Sequence, residues 1–160
     1  MKNILFATSE AVPFIKTGGL ADVAGALPKC FDNRYFDIRV IPPRYACMQQ
    51  EWKGKMEYVT HFYMDLGYKN CYVGILQMEY DGIKFYFIDN EYYFKREGNI
   101  YGFYDDGERY AFFSRAALDT IARLDIYPDI LNCNDWQTAA SIIFLKGMYY
   151  GNEKFRKVKT

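Results

Sequence analysis

The stretch that most constrains this chain is Lys16-Thr17-Gly18-Gly19-Leu20-Ala21-Asp22-Val23, close to its start. An apolar run, Ile4-Leu5-Phe6-Ala7, precedes it with the length and composition of a buried parallel strand. After it, Leu20, Val23, Ala24 and Leu27 recur at helical spacing. Strand, glycine turn and helix in that order open a nucleotide-binding α/β domain. Gly18 and Gly19 carry no Cβ to hold a ligand away from the backbone. They also stand where the first unpaired N–H groups of the helix point outward, which suits a phosphate. Lys16 adds a positive charge on the same turn. The plain alternative is a tight strand-to-helix turn with a solvated lysine, and the spacing leaves both readings open.

The rest of the chain alternates in a compatible way. Phe31-Asp32-Asn33 reads as a turn, and Asp37-Ile38-Arg39-Val40-Ile41 as a second strand stopped by Pro42-Pro43. A crossover between two such strands is right-handed and parallel. Residues Ala46 to Gly54 are ambiguous and compatible with a short helix. Met56–Leu66, Cys71–Tyr80 and Lys84–Ile88 read as strands, and Asp81-Gly82 between the last two is a hairpin signal. This region is expected to be antiparallel, extending the parallel sheet or flanking it. A helix is expected from about Gly107 to Leu124, with Ala111, Ala116, Ala117 and Ile121 inward. Asp129–Cys133 reads as a strand introduced by Pro128, followed by a helix running from the Asn134–Thr138 block to about Tyr149 that Asn134 or Asp135 caps. Lys157-Val158-Lys159-Thr160 has the pattern of a strand beginning. No internal repeat or low-complexity linker divides the chain, so residues 1–160 are expected to form one domain.

Composition narrows the partners. Lys plus Arg and Asp plus Glu number 20 each, a balance without the basic excess that nucleic acid or an anionic membrane surface would require. No apolar stretch is long enough for a transmembrane helix, and Met1–Phe6 reads as a strand rather than a signal peptide. With 16 Tyr and 13 Phe the chain is rich in aromatics, which carbohydrate binders use as stacking faces; a tyrosine-rich core and surface explains the same count more simply. Cys30, Cys47, Cys71 and Cys133 contain no Cys-x-x-Cys pair, and the one histidine, His61, completes no zinc set. They are expected to be reduced, mostly buried thiols of a cytoplasmic protein, and His61 a hydrogen-bonded strand residue.

Read with its flanks, Thr8-Ser9-Glu10-Ala11-Val12-Pro13-Phe14-Ile15-Lys16-Thr17-Gly18-Gly19-Leu20-Ala21-Asp22-Val23 resembles the amino-terminal signature of bacterial glycogen synthases and plant starch synthases. The resemblance continues through Gly25-Ala26-Leu27-Pro28, the proline loop Pro42-Pro43-Arg44-Tyr45, the segment around Tyr101 and Tyr104–Tyr110, and Asn134-Asp135-Trp136-Gln137-Thr138. In that last block many members carry histidine where this chain has Asn132 or Asn134, and starch synthases often have asparagine at the second.

The resemblance implies a GT-B glycosyltransferase with two Rossmann-like lobes. This chain would be the amino-terminal catalytic lobe, a three-layer α/β unit with a mainly parallel sheet and an antiparallel hairpin region. The carboxy-terminal nucleotide-binding lobe would be missing. The implied reaction is retaining transfer of glucose from ADP-glucose to the non-reducing end of an α-1,4-glucan, without a metal or other cofactor, and UDP-glucose remains open as a donor. Lys16 is then the donor-contacting lysine, and Gly18 and Gly19 are backbone donors to it. Asp135 is the motif aspartate near the donor sugar, with a plain helix cap as its simpler reading. Asp22 matches a motif aspartate, as a helix-dipole partner or a sugar contact. Tyr101 and Asp106 match a block lining the cleft, with loop structure as the simpler reading, and Glu10 is a further candidate. Because the catalytic histidine and the second lobe of such enzymes would lie outside these residues, the fragment alone is expected to be inactive.

Two other classes compete. A nicotinamide-dependent oxidoreductase predicts Gly-x-Gly-x-x-Gly and an acidic residue closing the second strand. This chain has Gly18-Gly19 with Gly25 further on, and Ile41-Pro42-Pro43 at that strand end, so it fails both. A non-catalytic sugar- or nucleotide-binding lobe, or another nucleotide-sugar transferase of the same architecture, stays open.

Overall fold

The structure, a computed structural model, describes residues 1–160. Strands β1 (Lys2–Ala7), β2 (Phe36–Ile41), β3 (Glu57–Leu66), β4 (Lys69–Tyr80), β5 (Ile83–Asp89) and β6 (Ile130–Cys133) form one sheet in the order β3-β4-β5-β2-β1-β6. β1 pairs in parallel with both β2 and β6, and β2 in parallel with β5. β3 and β4 are added antiparallel at one edge, so the hairpin region extends the sheet rather than flanking it. Asp81 and Gly82 both have positive φ, 50° and 75°, the requirement of a two-residue turn that matches strand twist.

The helices are α1 (Gly19–Ala26), α2 (Gln50–Lys55), α3 (Glu91–Phe94), α4 (Asp106–Leu124), α5 (Trp136–Gly147) and α6 (Glu153–Arg156), with a 3-10 turn at Leu27–Cys30. They cover both faces of the sheet. On one, Phe14 sits edge-on to Phe85 and Phe87 of β5 and to Trp52 of α2. On the other, Cys71 of β4 meets Tyr93, which lies against Phe112 of α4. α4 and α5 approach closely through small polar residues, Ser114 donating to the Gln137 carbonyl and Ser141 to the Ser114 carbonyl.

The apolar spacing misassigns the inward face of α1. Ala21, Ala24 and Gly25 are its buried residues, while Val23 is 50% and Leu27 39% exposed. Small residues win because α1 rests directly on the preceding turn: a Cβ on Gly25 would meet Val12 Cγ2 and lie 2.7 Å from the Val12 carbonyl oxygen. The cysteines also depart from expectation, with Cys30 and Cys47 exposed and only Cys71 fully buried. His61 is an exposed β3 residue whose Nδ1 lies 2.6 Å from the Tyr58 hydroxyl. α5 ends at Gly147, before the expected Tyr149. Lys159 forms a parallel bridge with Ile130 on the outer side of β6.

Candidate functional site

Ala7 and Cys133, the last residues of β1 and β6, are register partners on adjacent parallel strands. The chain leaves β1 towards β2 on one side of it, and β6 lies on the other. The crevice outside such a reversal is where open α/β sheets gather ligands. Asn134 pins the two strand ends together: its backbone N–H and its Nδ2 both donate to the Ala7 carbonyl, at 3.1 and 3.0 Å.

The turn after β1 is organised by Glu10, which is 2% exposed. Its carboxylate accepts from the Thr17 N–H at 2.5 Å, the Thr17 hydroxyl at 2.9 Å, the Tyr101 hydroxyl at 3.0 Å and, more distantly, the Gly18 N–H at 3.4 Å. Ser9 Oγ lies 2.6 Å from the Tyr101 hydroxyl. The irregular backbone needs an acceptor for its N–H groups, and Glu10 supplies one from within. Burial, with the neighbouring Glu10 charge, pushes the Tyr101 hydroxyl well above the usual tyrosine range, so it stays protonated and donates. Sequence reading offers Glu10 only as a further candidate; its signal is a lone carboxylate between an apolar strand and a run of unpaired N–H groups.

Lys16 and Asp22 form a pair that the sequence did not link. Both carboxylate oxygens of Asp22, in the first turn of α1, accept from Lys16 Nζ at 2.7 and 2.8 Å. The two side chains are 52% and 56% exposed, so the pair contributes only ~0.2–1 kcal/mol in water. Lys16 is therefore held at the rim by a weak partner. No side chain caps α1, and a Cβ at Gly18 or Gly19 would meet nothing within 4 Å.

Across the crevice, Asp135 has φ 64° and ψ 178°, a region that is essentially glycine's and costs a residue with a Cβ ~1–3 kcal/mol. Its Oδ1 accepts from the Trp136 N–H at 2.7 Å, which caps α5. Trp136 is 51% exposed and packs edge-on to Tyr110, with ring centroids 5.2 Å apart and Tyr101 beyond at 6.4 Å. Burial pushes the Tyr110 hydroxyl up to about 12, and it donates to the Ile100 carbonyl. Sequence reading assigns Trp136 no site role, although it is half exposed and stands beside Tyr101 and Asp135.

Asp106 serves the loop. Its carboxylate accepts from the Gly102 and Phe103 N–H groups at 2.7 and 3.2 Å, and from buried Arg109 at 2.5 Å. These bonds shape the segment that carries Tyr101 and leave Asp106 few lone pairs for a ligand. The structure thus brings Lys16, Gly18, Gly19, Asp22, Tyr101 and Asp135 to one edge of the sheet. No three His, Cys, Asp or Glu side chains are grouped as metal ligands are, and no helix is long and apolar enough to cross a membrane.

A family profile described as starch synthase catalytic domain matches residues 3–160. The chain is 50% identical over 160 residues to a glycogen synthase of Lachnospira eligens, and 54% identical over 159 residues to one of Clostridium novyi. It covers 34% and 33% of those proteins, so it spans about a third of the length of the curated relatives it matches. The catalytic domain of starch synthase IV from Arabidopsis thaliana, solved bound to ADP and acarbose, superposes with a TM-score of 0.86 at 29% identity, over 98% of this chain and 32% of that one.

Proposed function

The chain belongs to the starch synthase catalytic domain family, and on that premise we propose that it forms the amino-terminal lobe of a glycogen synthase. The proposed reaction is retaining transfer of glucose from ADP-glucose to the non-reducing end of an α-1,4-glucan. The observation that carries this reading is the meeting of two turns on adjacent parallel strands, one bearing Lys16 and the other the strained Asp135. A glucan acceptor is supported by the likeness to glycogen synthases, and ADP as the nucleotide by the ADP bound, with acarbose, to the starch synthase IV domain.

Breaking the bond between the sugar's anomeric carbon and the diphosphate leaves an oxocarbenium-like sugar and charge on the departing phosphate. A cation brought to that phosphate stabilises the transition state more than the ground state. Lys16 is that cation in this lobe. To reach the diphosphate its ammonium exchanges Asp22, an exposed partner worth ~0.2–1 kcal/mol, for a doubly charged one. A charge pair at ~4 Å and an effective dielectric of ~20 is worth ~4 kcal/mol before desolvation. The uncapped start of α1 adds ~0.3–1 kcal/mol, so Lys16 dominates. Gly18 and Gly19 leave the space a diphosphate needs against the backbone. Asp135, held in position by its backbone, places a carboxylate beside the developing positive charge of the sugar, and the open face of Trp136 offers the ring an apolar surface.

The remaining groups come, in this reading, from a second lobe, for which the unmatched two-thirds of the relatives provides the length. The test is the full-length protein assayed with ADP-glucose, UDP-glucose and glycogen, following nucleoside diphosphate release and chain growth. Transfer that prefers ADP-glucose, and falls when Lys16 or Asp135 is replaced, supports the reading. Binding of ADP with no glucose transfer would make this a non-catalytic nucleotide-binding lobe.

A further inference from the structure

On the β5 side of β2 a hollow of about 230 Å³ opens, walled by polar residues that include Arg44, Gln50, Lys53, Asp89, Glu91 and Lys95. Lys16, Gly18, Gly19, Asp22, Tyr101 and Asp135 are all outside it. The Arg44 N–H donates to the Ile88 carbonyl at 2.8 Å, which sets the hollow at the carboxyl ends of β2 and β5. Both strands run parallel to β1, directly or through β2, so the hollow shares the sheet edge where ligands of such folds gather. Its volume is below the ~300–1,000 Å³ of sites for drug-sized molecules, which suits a small ligand.

The walls carry three cations and two carboxylates, which leaves one positive charge in surplus. Two of the cations are matched. Arg44 Nη1 donates to Asp89 at 3.0 Å, and Lys95 pairs with Glu91 at 3.3 Å. Lys53 is the unmatched one, since its Nζ donates only to the neutral Ala46 carbonyl, at 2.8 Å.

Both matches are loose. The Lys95 and Glu91 side chains are 64% and 75% exposed, so water screens their attraction. Arg44 makes no other side-chain hydrogen bond, and its Nε is buried with no partner, so Asp89 satisfies the guanidinium only in part. A phosphate group brings two negative charges and several acceptor oxygens, enough to engage a guanidinium fork and two ammonium groups together. A neutral ligand would leave the Lys53 charge uncompensated, and a second cation would add to the surplus.

We propose that this hollow is a binding site for the phosphate group of a small ligand, held by Lys53 together with Arg44 and Lys95. The site stands independently of the glucose transfer proposed above. Hydrogen–deuterium exchange of the full-length protein is measured with inorganic phosphate, with glycerol 3-phosphate, and with sodium chloride at matched ionic strength. Slowed exchange in residues 44–55 and 88–96 with the phosphates and not with chloride is the expected result. The same protection in a Lys16→Ala protein separates this site from an anion seated on the turn after β1. Lys53→Gln should raise the phosphate dissociation constant about tenfold, ~1.4 kcal/mol, and Lys95→Gln, a change at an exposed side chain, should raise it less. Tighter binding of glycerol 3-phosphate than of inorganic phosphate identifies an ester as the ligand, and equal binding the free ion. Exchange unaltered by both phosphates overturns the proposal, as does protection that survives Lys53→Gln/Lys95→Gln or disappears with Lys16→Ala. Protection in a protein that transfers no glucose leaves this site standing and removes only the transferase.

Discussion

The turns after β1 and β6 leave neighbouring strands at the same edge, yet they are held in opposite ways. The first is long and irregular, and Glu10 ties it together from inside through Thr17, Gly18 and Tyr101. The second has only Asn134 and Asp135 between strand and helix, and its side-chain bonds are local ones, Asn134 to the Ala7 carbonyl and Asp135 to the adjacent Trp136 N–H. Its constraint is carried by the backbone of Asp135, at φ 64°. A long turn can be fixed by side-chain hydrogen bonds, and its charged residue can then stand on the surface with a weak, exposed partner, as Lys16 does with Asp22. A short turn fixes its functional residue chiefly by backbone geometry, with one cap bond from Asp135 to the Trp136 N–H. The two halves of the crevice thus offer a cation in an exposed, weakly held pair and a carboxylate on a constrained backbone.

The largest effect expected is on turnover, from removing that cation. In the full-length protein Lys16→Ala should lower kcat/KM about 100-fold, ~2.7 kcal/mol of the ~4 kcal/mol available to the charge pair. Gly19→Ala meets no neighbour within 4 Å and should leave the fold intact, costing about tenfold or less through the ~0.3–1 kcal/mol helix-terminus contribution and crowding of the ligand. Steady-state rates with ADP-glucose decide this. Activity within a few-fold of wild type for Lys16→Ala would remove the charge from the mechanism.

Stability distinguishes the turns next. Glu10→Ala leaves the Tyr101 hydroxyl with Ser9 alone and removes the acceptor of the Thr17 donors, which water can partly reach, and should cost ~1–3 kcal/mol, the penalty of about one unpaired buried group. Urea denaturation should show a lower midpoint with an unchanged slope. A cost below that of Asp135→Ala would contradict an internally tied first turn.

Much of the fold was legible because long-period signals carried it. The Ile4–Ala7 strand, the Asp81-Gly82 hairpin and the α4 pattern all survive, since burial on one face leaves a repeating mark. What failed was the face of α1, where close packing on Val12 selected Ala21, Ala24 and Gly25 over larger apolar residues. At the site, glycines and charged residues were visible as types. The pairings Lys16–Asp22 and Glu10–Thr17–Tyr101 were not, because they depend on how an irregular loop folds back, with no periodicity to read. The Gly25 contact belongs with the first turn and gives the next prediction. Gly25→Ala presses a methyl group onto the Val12 carbonyl and should destabilise by ~1–3 kcal/mol, as overpacking does. An alanine there that leaves the urea midpoint unchanged would mean that α1 can slide off the turn, and that the turn is not fixed by it.

The smallest effect has the most informative sign. Asp135→Gly removes the backbone strain, a gain of ~1–3 kcal/mol. Against it stand a few tenths of a kcal/mol for exchanging a cap for glycine and ~0.5–1 kcal/mol for the freer unfolded chain. The balance favours a protein more stable by ~1 kcal/mol in denaturant, from the larger of those terms. Asp135→Ala keeps the strain and loses the cap, so it should be less stable by ~1 kcal/mol. Both variants lose the carboxylate and should lose turnover together. Opposite signs in stability with a shared loss in rate would identify Asp135 as a residue kept against the interest of the fold. Two destabilised variants of equal size would show instead that the cap outweighs the backbone, and that the second turn, like the first, is held by a side-chain bond.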